Sequence, residues 1–361
     1  MDVMGGLKLL EDLKFFQGKR VFLTGHTGFK GSWLCQILVN AGAKLTGYSL
    51  EPSTNPSLFS VIDIEGKMDS VIGDIRNRSA LERAFKKAKP EIVIHMAAQP
   101  LVGEGYQNPA YTFETNVMGT VNIMECLRLY GSSVKSFINV TTDKVYQSNE
   151  GRQGYRETDP LGGLDPYSNS KSCSELVTQS YVKSFLSNGE IAISTVRSGN
   201  LIGGGDFAEN RIMSDCVKAA MKSKNIIVRN PHSVRPYQHV LEALFAYLMI
   251  AKKQYHDPSY ADYYNVGPND EDCISTGQLV DSFCQAWRNN QTWVNTYVGG
   301  PCEEDILRLD CTKLKTVFGW SPRWNYVQAI EKTVEWTREY VAKGEILAVM
   351  DRQIQEFEHK R

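Results

Sequence analysis

Tyr167 and Lys171 stand four positions apart in the run DPYSNSK, shortly after the run TTDKVY that begins at Thr141. On a helix, residues four apart share one face, about a turn from each other. An ammonium beside a phenol favours the phenolate and draws its pKa below the usual ~10. A phenol tuned that way takes a proton from a hydroxyl near neutral pH while hydride leaves the adjacent carbon. Thr142 offers a hydroxyl to hold the same substrate oxygen. Asp143 and Lys144 put an acid/base pair on the next two positions. A tyrosine and a lysine at this spacing occur by chance in many proteins. The pair gains meaning only if a dinucleotide site lies upstream.

Such a site is readable. Arg20 to Thr24 is a short apolar strand that runs straight into Gly25-His-Thr-Gly28-Phe-Lys-Gly31. SWLCQILVNAG follows with helical periodicity, and Gly42 is a plausible stop. Strand, glycine turn and helix form the setting of a phosphate-cradling loop. Gly25 allows the tight turn, Gly28 lets the backbone approach a pyrophosphate, and Gly31 allows close helix–strand contact. Thr27, Phe29 and Lys30 belong to the same turn, and the helix N-terminus faces the phosphates. The spacing is GxxGxxG rather than GxGxxG. A second strand spans Lys44 to Ser49. An NAD site usually places an acid near its end to hold the ribose. Here that place holds Tyr48, Ser49 and Leu50, with Glu51 just beyond. Two readings stay open: Ser49 or Glu51 holds the ribose, or the pocket tolerates a 2′-phosphate. No arginine stands immediately there, which favours NAD, while Lys30 as the nearest cation weakens that inference.

A third strand, SVIGD, is expected to end at Asp74-Ile75. Asp74 accepts from an adenine amine, or caps a helix starting about Ser79, and the two roles are compatible. The fourth strand, EIVIHMAAQ, is almost continuously apolar, as a buried parallel strand should be. Its end, Ala97-Ala98-Gln99, leaves room for a cofactor. His95 reads as a packed core histidine. One long periodic helix, AYTFETNVMGTVNIMECLRLYG, places Asn116 beside its core face, where it braces the end of the fourth strand. The fifth strand, KSFINV, leads directly into the acid/base cluster. The cluster therefore lies at the carboxyl end of a parallel strand, where open α/β sheets bind ligands.

A polar, glycine-rich loop runs from Gln147 to Asp165, and the helix of Tyr167 starts after Pro166. After a sixth strand, IAISTVRSGN, the residues Asn200, Asn210 and Arg211 stand at the mouth of a glycine-rich segment. Arg235 leads RPYQHV, with His239 close by, and an arginine in such a loop grips a diphosphate in bidentate fashion. An apolar helix from Val240 and a strand in DYYNVGP follow. About seven strands alternating with helices make a doubly wound α/β sheet. The expected division is a dinucleotide-binding domain over 1–196 plus about 236–265, with a smaller substrate lobe over 197–235 and 266–361.

Bulk properties fit. With 361 residues, a sizeable core is available, and a net charge of −1 points neither to nucleic acid nor to an anionic membrane. Apolar runs are too short to span a bilayer. The start, MDVMGGLKLLEDLKFF, reads as a short leading helix rather than a secretory signal, so a cytoplasmic protein is expected. Its eight cysteines, at 35, 126, 173, 216, 273, 284, 302 and 311, form no CxxC and no metal-spaced cluster. No metal site is expected.

With the glycine turn, the Asn116 helix and YSNSK in order, the chain resembles the extended short-chain dehydrogenase/reductase superfamily from about Arg20 to Pro268. Within it, TGHTGFKGSWL, HMAAQPLV, TTDKVY, GYRETDPLGGLDPYSNSK, GNLIGGGDFAENR and RPYQHVLE are similar to the CDP-glucose 4,6-dehydratase family. The resemblance implies bound NAD and dehydration of CDP-glucose to a 4-keto-6-deoxy sugar, as in the deoxysugar synthesis that feeds O-antigen. It implies Tyr167 as base for the C4 hydroxyl, with Lys171 lowering its pKa and holding the nicotinamide ribose. Thr142 would hold the C4 oxygen, and Asp143 would protonate the hydroxyl leaving from C6. Related dehydratases carry a Glu as the C5 base where this chain has Lys144. A neutral Lys144 as that base, or Lys144 orienting Asp143 with the base elsewhere, remain the alternatives. Gly103 stands where the family has an Arg. The competing readings are a dehydratase or 4-epimerase of another nucleotide sugar, and a non-catalytic dinucleotide-binding protein. Apolar faces on the helices of Asn116 and Tyr167 imply a homodimer or homotetramer.

Overall fold

The computed structural model describes residues 11–148, 154–187, 189–296 and 306–360. Most of the expected leading helix, part of the loop after Gln147, and Cys302 lie outside the described residues.

Seven strands form one parallel sheet: β1 (Arg20–Thr24), β2 (Lys44–Ser49), β3 (Asp69–Ile72), β4 (Ile92–His95), β5 (Ser136–Thr141), β6 (Ala192–Ser198) and β7 (Tyr263–Val266). Their spatial order is β7-β6-β5-β4-β1-β2-β3. The order reverses between β1 and β4, and that crevice at the carboxyl ends is where such sheets take a ligand. Five helices matter for the site: α1 (Phe29–Asn40), α2 (Arg78–Ala88), α3 (Gly119–Tyr130), α4 (Pro166–Phe185) and α5 (Val240–His256).

Side chains of a strand alternate between faces, and the two cores show it. Val21, Leu23, Ile92, Ile94, Ile138 and Val140 pack with α1 and α5 on one face. Phe22, Val93 and Phe137 pack with Leu81, Phe85, Ile123 and Leu127 of α2 and α3 on the other. With both faces covered, β4 and β5 are buried at every position. This is why they read as unbroken apolar runs. A third core, with Val217, Ile226, Leu279, Phe283 and Ile330, belongs to the smaller lobe.

Several expectations need correction. The third strand ends at Ile72, and the next helix is capped by Asn77, which accepts from the Ala80 amide. Asp74 instead pairs with Arg76. The single helix expected around Asn116 is three pieces: Pro109–Phe113, a π turn over Glu114–Met118, and α3. Single π turns inserted in helices recur at functional sites, and Asn116 lies in this one. The helix Ile346–His359, expected in the smaller lobe, packs on α1, where Gln36 and Asn40 both donate to Asp351. Its Val349, Met350, Ile354 and Phe357 join the core on that face. Among the described residues no helix is long and apolar enough to cross a membrane.

Candidate active site

The glycine turn is compressed against the end of β4. Gly25 has φ +81°, and a Cβ there would stand 2.9 Å from the Ala97 amide nitrogen. At Gly31 a Cβ would fall 2.1 Å from the Gly25 carbonyl oxygen. Both positions therefore exclude a side chain. Gly28 is exposed and precedes α1, whose first turn has no side-chain cap. Its leading N–H groups face the crevice. Thr27 donates to the Leu50 carbonyl at 2.8 Å and pairs with the Ser49 hydroxyl at 2.9 Å, tying the turn to the end of β2. Glu51 is exposed. His26, not singled out by the sequence, bonds the Ser70 hydroxyl at 2.9 Å, and burial pushes its imidazole down to about 4. Asp74 is gripped by Arg76, whose hydrogen bonds hold the carboxyl below its ordinary range. Ile75 is buried under Gly119.

At the end of β4, Asn116 clamps the main chain of Gln99. Its Oδ1 accepts from the Gln99 amide at 2.8 Å, and its Nδ2 donates to the Gln99 carbonyl at 3.1 Å and to Ser170 at 2.8 Å. One amide thus ties β4 to α4, the bracing role its position suggested. The Gln99 side chain is committed to Leu101 and Thr112. Among the residues expected at the cofactor, Gln99 can contribute only main chain. Ala97 and Ala98 are half-buried and leave the space above β4. His95 is buried between Thr24 and Thr120, and burial pushes it down to about 3, so it stays neutral.

The carboxyl end of β5 carries the acid/base corner. Asp165 caps α4 by accepting from the Ser168 amide at 3.0 Å, and Pro166 occupies the first turn. Gly105 lets the helix Val102–Gln107 lie against this end, since a Cβ would come within 3.1 Å of the Tyr167 nitrogen. Tyr167 and Thr142 are both buried at this corner. Thr142 donates to Asp143 Oδ1 at 2.9 Å. Asp143 is fully buried, and its Oδ1 also accepts from Lys144 Nζ at 3.2 Å. Its Oδ2 has no hydrogen-bond partner among the described residues and lies on Gly199, where a Cβ would stand 1.7 Å away. Asn200, expected at the substrate mouth, accepts from Lys144 at 3.4 Å.

The expected effect of Lys171 on Tyr167 is corrected. Burial pushes the phenol up to about 12, and the nearby Asp143 charge adds to this, while the Thr142 hydrogen bond and Arg211 oppose it. Lys171 Nζ is turned to the Val140 carbonyl of β5 at 3.1 Å. Burial draws its own pKa down to about 8, opposed by Glu175.

Glu175 and Arg197 form a buried ion pair beside this corner that the sequence reading did not single out. Glu175 accepts from Arg197 Nη2 at 2.6 Å and from the Thr141 hydroxyl at 2.6 Å. Arg197 also donates to the Tyr146 hydroxyl at 2.8 Å, which donates onward to Asn265 at 2.5 Å. A signal existed: Glu175 follows Lys171 by four and Tyr167 by eight, on the same face of one helix. Arg197 is a charge inside an otherwise uncharged strand.

The lobe side is looser. Arg211 precedes the helix Ile212–Met221, pairs with Asp206 at 3.1 Å, and acts electrostatically on Tyr167 and Lys30. Lys30 is half-buried; burial, then Lys171 and Arg211, push its ammonium down to about 7. Asn210 is exposed and accepts from Arg229 at 3.1 Å. Arg235 is buried in a short strand, Val234–Pro236, paired antiparallel with Cys273–Ser275. His239 caps α5 through Nδ1 and sits buried between Trp33 and Trp324. Gly103 has nothing within 4 Å of the place a side chain would start. Among the described residues no His/Cys/Asp/Glu group could hold a metal ion.

Residues 22–333 match the family described as GDP-mannose 4,6 dehydratase. The chain is 41% identical over 352 residues to the CDP-glucose 4,6-dehydratase of Salmonella typhimurium, covering 96% of this chain and 98% of that protein. It is 26% identical to the human dTDP-D-glucose 4,6-dehydratase, covering 89% of this chain and 90% of that one. Among solved structures it is similar to UDP-glucose 4-epimerase of Thermotoga maritima (TM-score 0.79, 21% identity, 89% of this chain and 99% of that one). It is also similar to the dTDP-glucose 4,6-dehydratase of Bacillus anthracis in complex with NAD (TM-score 0.74, 22% identity, 91% and 99%). At these identities the two structures speak for the fold.

Proposed function

The chain belongs to the GDP-mannose 4,6-dehydratase family, and from that premise we propose that it dehydrates CDP-glucose to CDP-4-dehydro-6-deoxyglucose with NAD. The carrying observation is the buried carboxyl of Asp143, which accepts from the Thr142 hydroxyl in the corner where Tyr167 is also buried. A 4-epimerase has no need of an acid there. The base preference rests on the 41% identical relative.

NAD fits the crevice: the Gly25/Gly31 turn admits no Cβ, the first turn of α1 is uncapped, and small residues follow β4. When bound, it would supply a hydride acceptor for the C4 oxidation and, once reduced, a hydride donor for C6. Gly25, Thr27, Gly28, Phe29, Lys30 and Gly31 would hold its pyrophosphate side, and Ser49, Asp74 and Ile75 its adenosine side. Lys171 would turn from the Val140 carbonyl to the nicotinamide ribose and bring its charge to the phenol. Tyr167 takes the proton of the C4 hydroxyl, whose oxygen Thr142 holds. The 4-ketone acidifies the C5 proton, which a neutral Lys144 or another base of the site would take and return to C5 after hydride reaches C6. Asp143 gives a proton to the hydroxyl leaving C6. Lys144, with its ammonium on Asp143 and Asn200, favours the orienting role over that of C5 base. Arg211 would grip the diphosphate from the smaller lobe, and Asn210 would stand at its rim. Leu129 of α3, and Leu176 and Phe185 of α4, are exposed, which suits a homodimer, or a tetramer built on one. The product is a precursor for deoxysugars.

The test is incubation of the purified protein with NAD and, separately, CDP-, dTDP- and UDP-glucose and GDP-mannose, read by mass spectrometry. Loss of one water from the CDP sugar alone is expected. Loss from a different sugar would overturn the substrate, and loss from none would overturn the reaction.

A further inference from the structure

The chain leaves β6 through Gly199 and Asn200, and this turn lies against the Asp143 carboxyl. A Cβ built on Gly199 would stand 1.7 Å from Asp143 Oδ2, 2.1 Å from its Cγ and 2.5 Å from its Oδ1. The carboxyl therefore fills the place that a side chain at 199 would take. The Gly199 backbone lies outside the left-handed region. Its conformation does not ask for glycine, and only the carboxyl excludes a side chain. That carboxyl is fully buried, and its Oδ1 is held by the Thr142 hydroxyl at 2.9 Å and the Lys144 ammonium at 3.2 Å. Asn200 completes the seat. Its φ is +43°, a conformation that asparagine tolerates better than most residues. Its carbonyl accepts from the Gln238 amide at 3.3 Å, and its Oδ1 accepts from the same Lys144 at 3.4 Å.

We propose that Gly199 is a positioning residue for Asp143. By lacking a side chain it leaves the carboxyl the place from which it reaches both Thr142 and Lys144. Position 199 thereby decides whether oxidation at C4 is followed by loss of water at C6. Its effect falls on the elimination, because Tyr167 and Lys171 are placed by α4 and by the Val140 carbonyl of β5, not by this turn. The inference rests on the dehydratase reading of Asp143 and deepens it by naming what seats the acid.

The test is Gly199→Ala, incubated with NAD and CDP-glucose and followed by mass spectrometry and by the absorbance of reduced nicotinamide. Water loss should slow at least about 100-fold, in line with displacement of one proton-transfer group. Oxidation at C4 should persist, so reduced nicotinamide should accumulate where the wild type regenerates the oxidised form. Dehydration at the wild-type rate, or an equal loss of oxidation and dehydration, would overturn the proposal. Added to Asp143→Asn, the same substitution should cost no more than about a further 3-fold, because both act through one group. A full second loss would give Gly199 a role apart from Asp143 and overturn it. Two readouts do not depend on turnover. A crystal structure of Gly199→Ala should show the carboxyl moved off Thr142 and Lys144, and a carboxyl still on both would sink the idea. If Gly199→Ala alone does not fold, adding Asp143→Ala should restore folding by clearing the space, and failure to restore it would count equally against the seat. Wild-type turnover on CDP-glucose, run alongside, reports separately on the dehydratase reading.

Discussion

The end of β5 and the mouth of the smaller lobe handle polar groups in opposite ways. At β5, Thr142, Asp143 and Tyr167 are buried and interlocked, and Glu175 and Arg197 back them with a buried ion pair. At the lobe, Arg211 is half-exposed and rests on one acid, Asp206, while Asn210 is open to solvent. Proton transfer needs fixed distances and shifted acidities, and both come from burial. Gripping a diphosphate needs cations that can exchange one anion for another, and that asks for exposure.

If the contrast is right, the largest losses follow from the β5 corner. Tyr167→Phe should lower kcat by about 10³-fold with NAD still bound, and Asp143→Asn should stop water loss to a similar extent. Product analysis separates them: the first blocks oxidation at C4, the second spares it. Unimpaired dehydration by Asp143→Asn would remove the acid from the scheme. Next, Arg197→Met leaves Glu175 as an unpaired buried carboxylate and should destabilise the fold by about 3–5 kcal/mol, read by denaturant unfolding. A loss below about 1 kcal/mol would mean that the pair does not hold this corner rigid.

Acid should then attack the sheet side. His26, His95 and His239 are buried, and burial pushes them down to about 4, 3 and 3. The unfolded chain binds their protons near pH 6.5 while the folded chain refuses them. Stability is therefore full above about 6.5 and falls as pH drops toward 4, by roughly 2 kcal/mol per histidine at pH 5. Flat stability between pH 7 and 5 would contradict that burial. The smallest effect is expected at the lobe. Arg211→Ala should raise KM about 10-fold with little change in kcat, since a binding contact made equally in ground and transition states acts on KM alone. A fall in kcat instead would place Arg211 with the chemistry, and its electrostatic reach to Tyr167 makes that outcome informative.

How legible the molecule was follows the same division. The parallel strands were readable because burial on both faces demands unbroken apolar runs. The boundary at His95 was missed because the apolar run continues through Met96, Ala97 and Ala98. The π turn at Asn116 was invisible, since its residues keep a helical pattern. The strands that carry Arg235 and His239 were not legible because they are two or three residues long. Their pairing is set by distant partners such as Cys273–Ser275.

The sequence by itself determined the doubly wound sheet, the glycine turn at its crevice, the acid/base cluster at the end of β5 and the Tyr167/Lys171 helix. Each is local: periodicity, a backbone that only glycine allows, or spacing along one helix. Only the tertiary structure decided that Asp143 is buried, that Thr142 donates to it, that Lys171 points to β5, and that Glu175 meets Arg197. Burial and electrostatic neighbours arise between segments far apart in the chain, and they set acidity where residue type alone cannot.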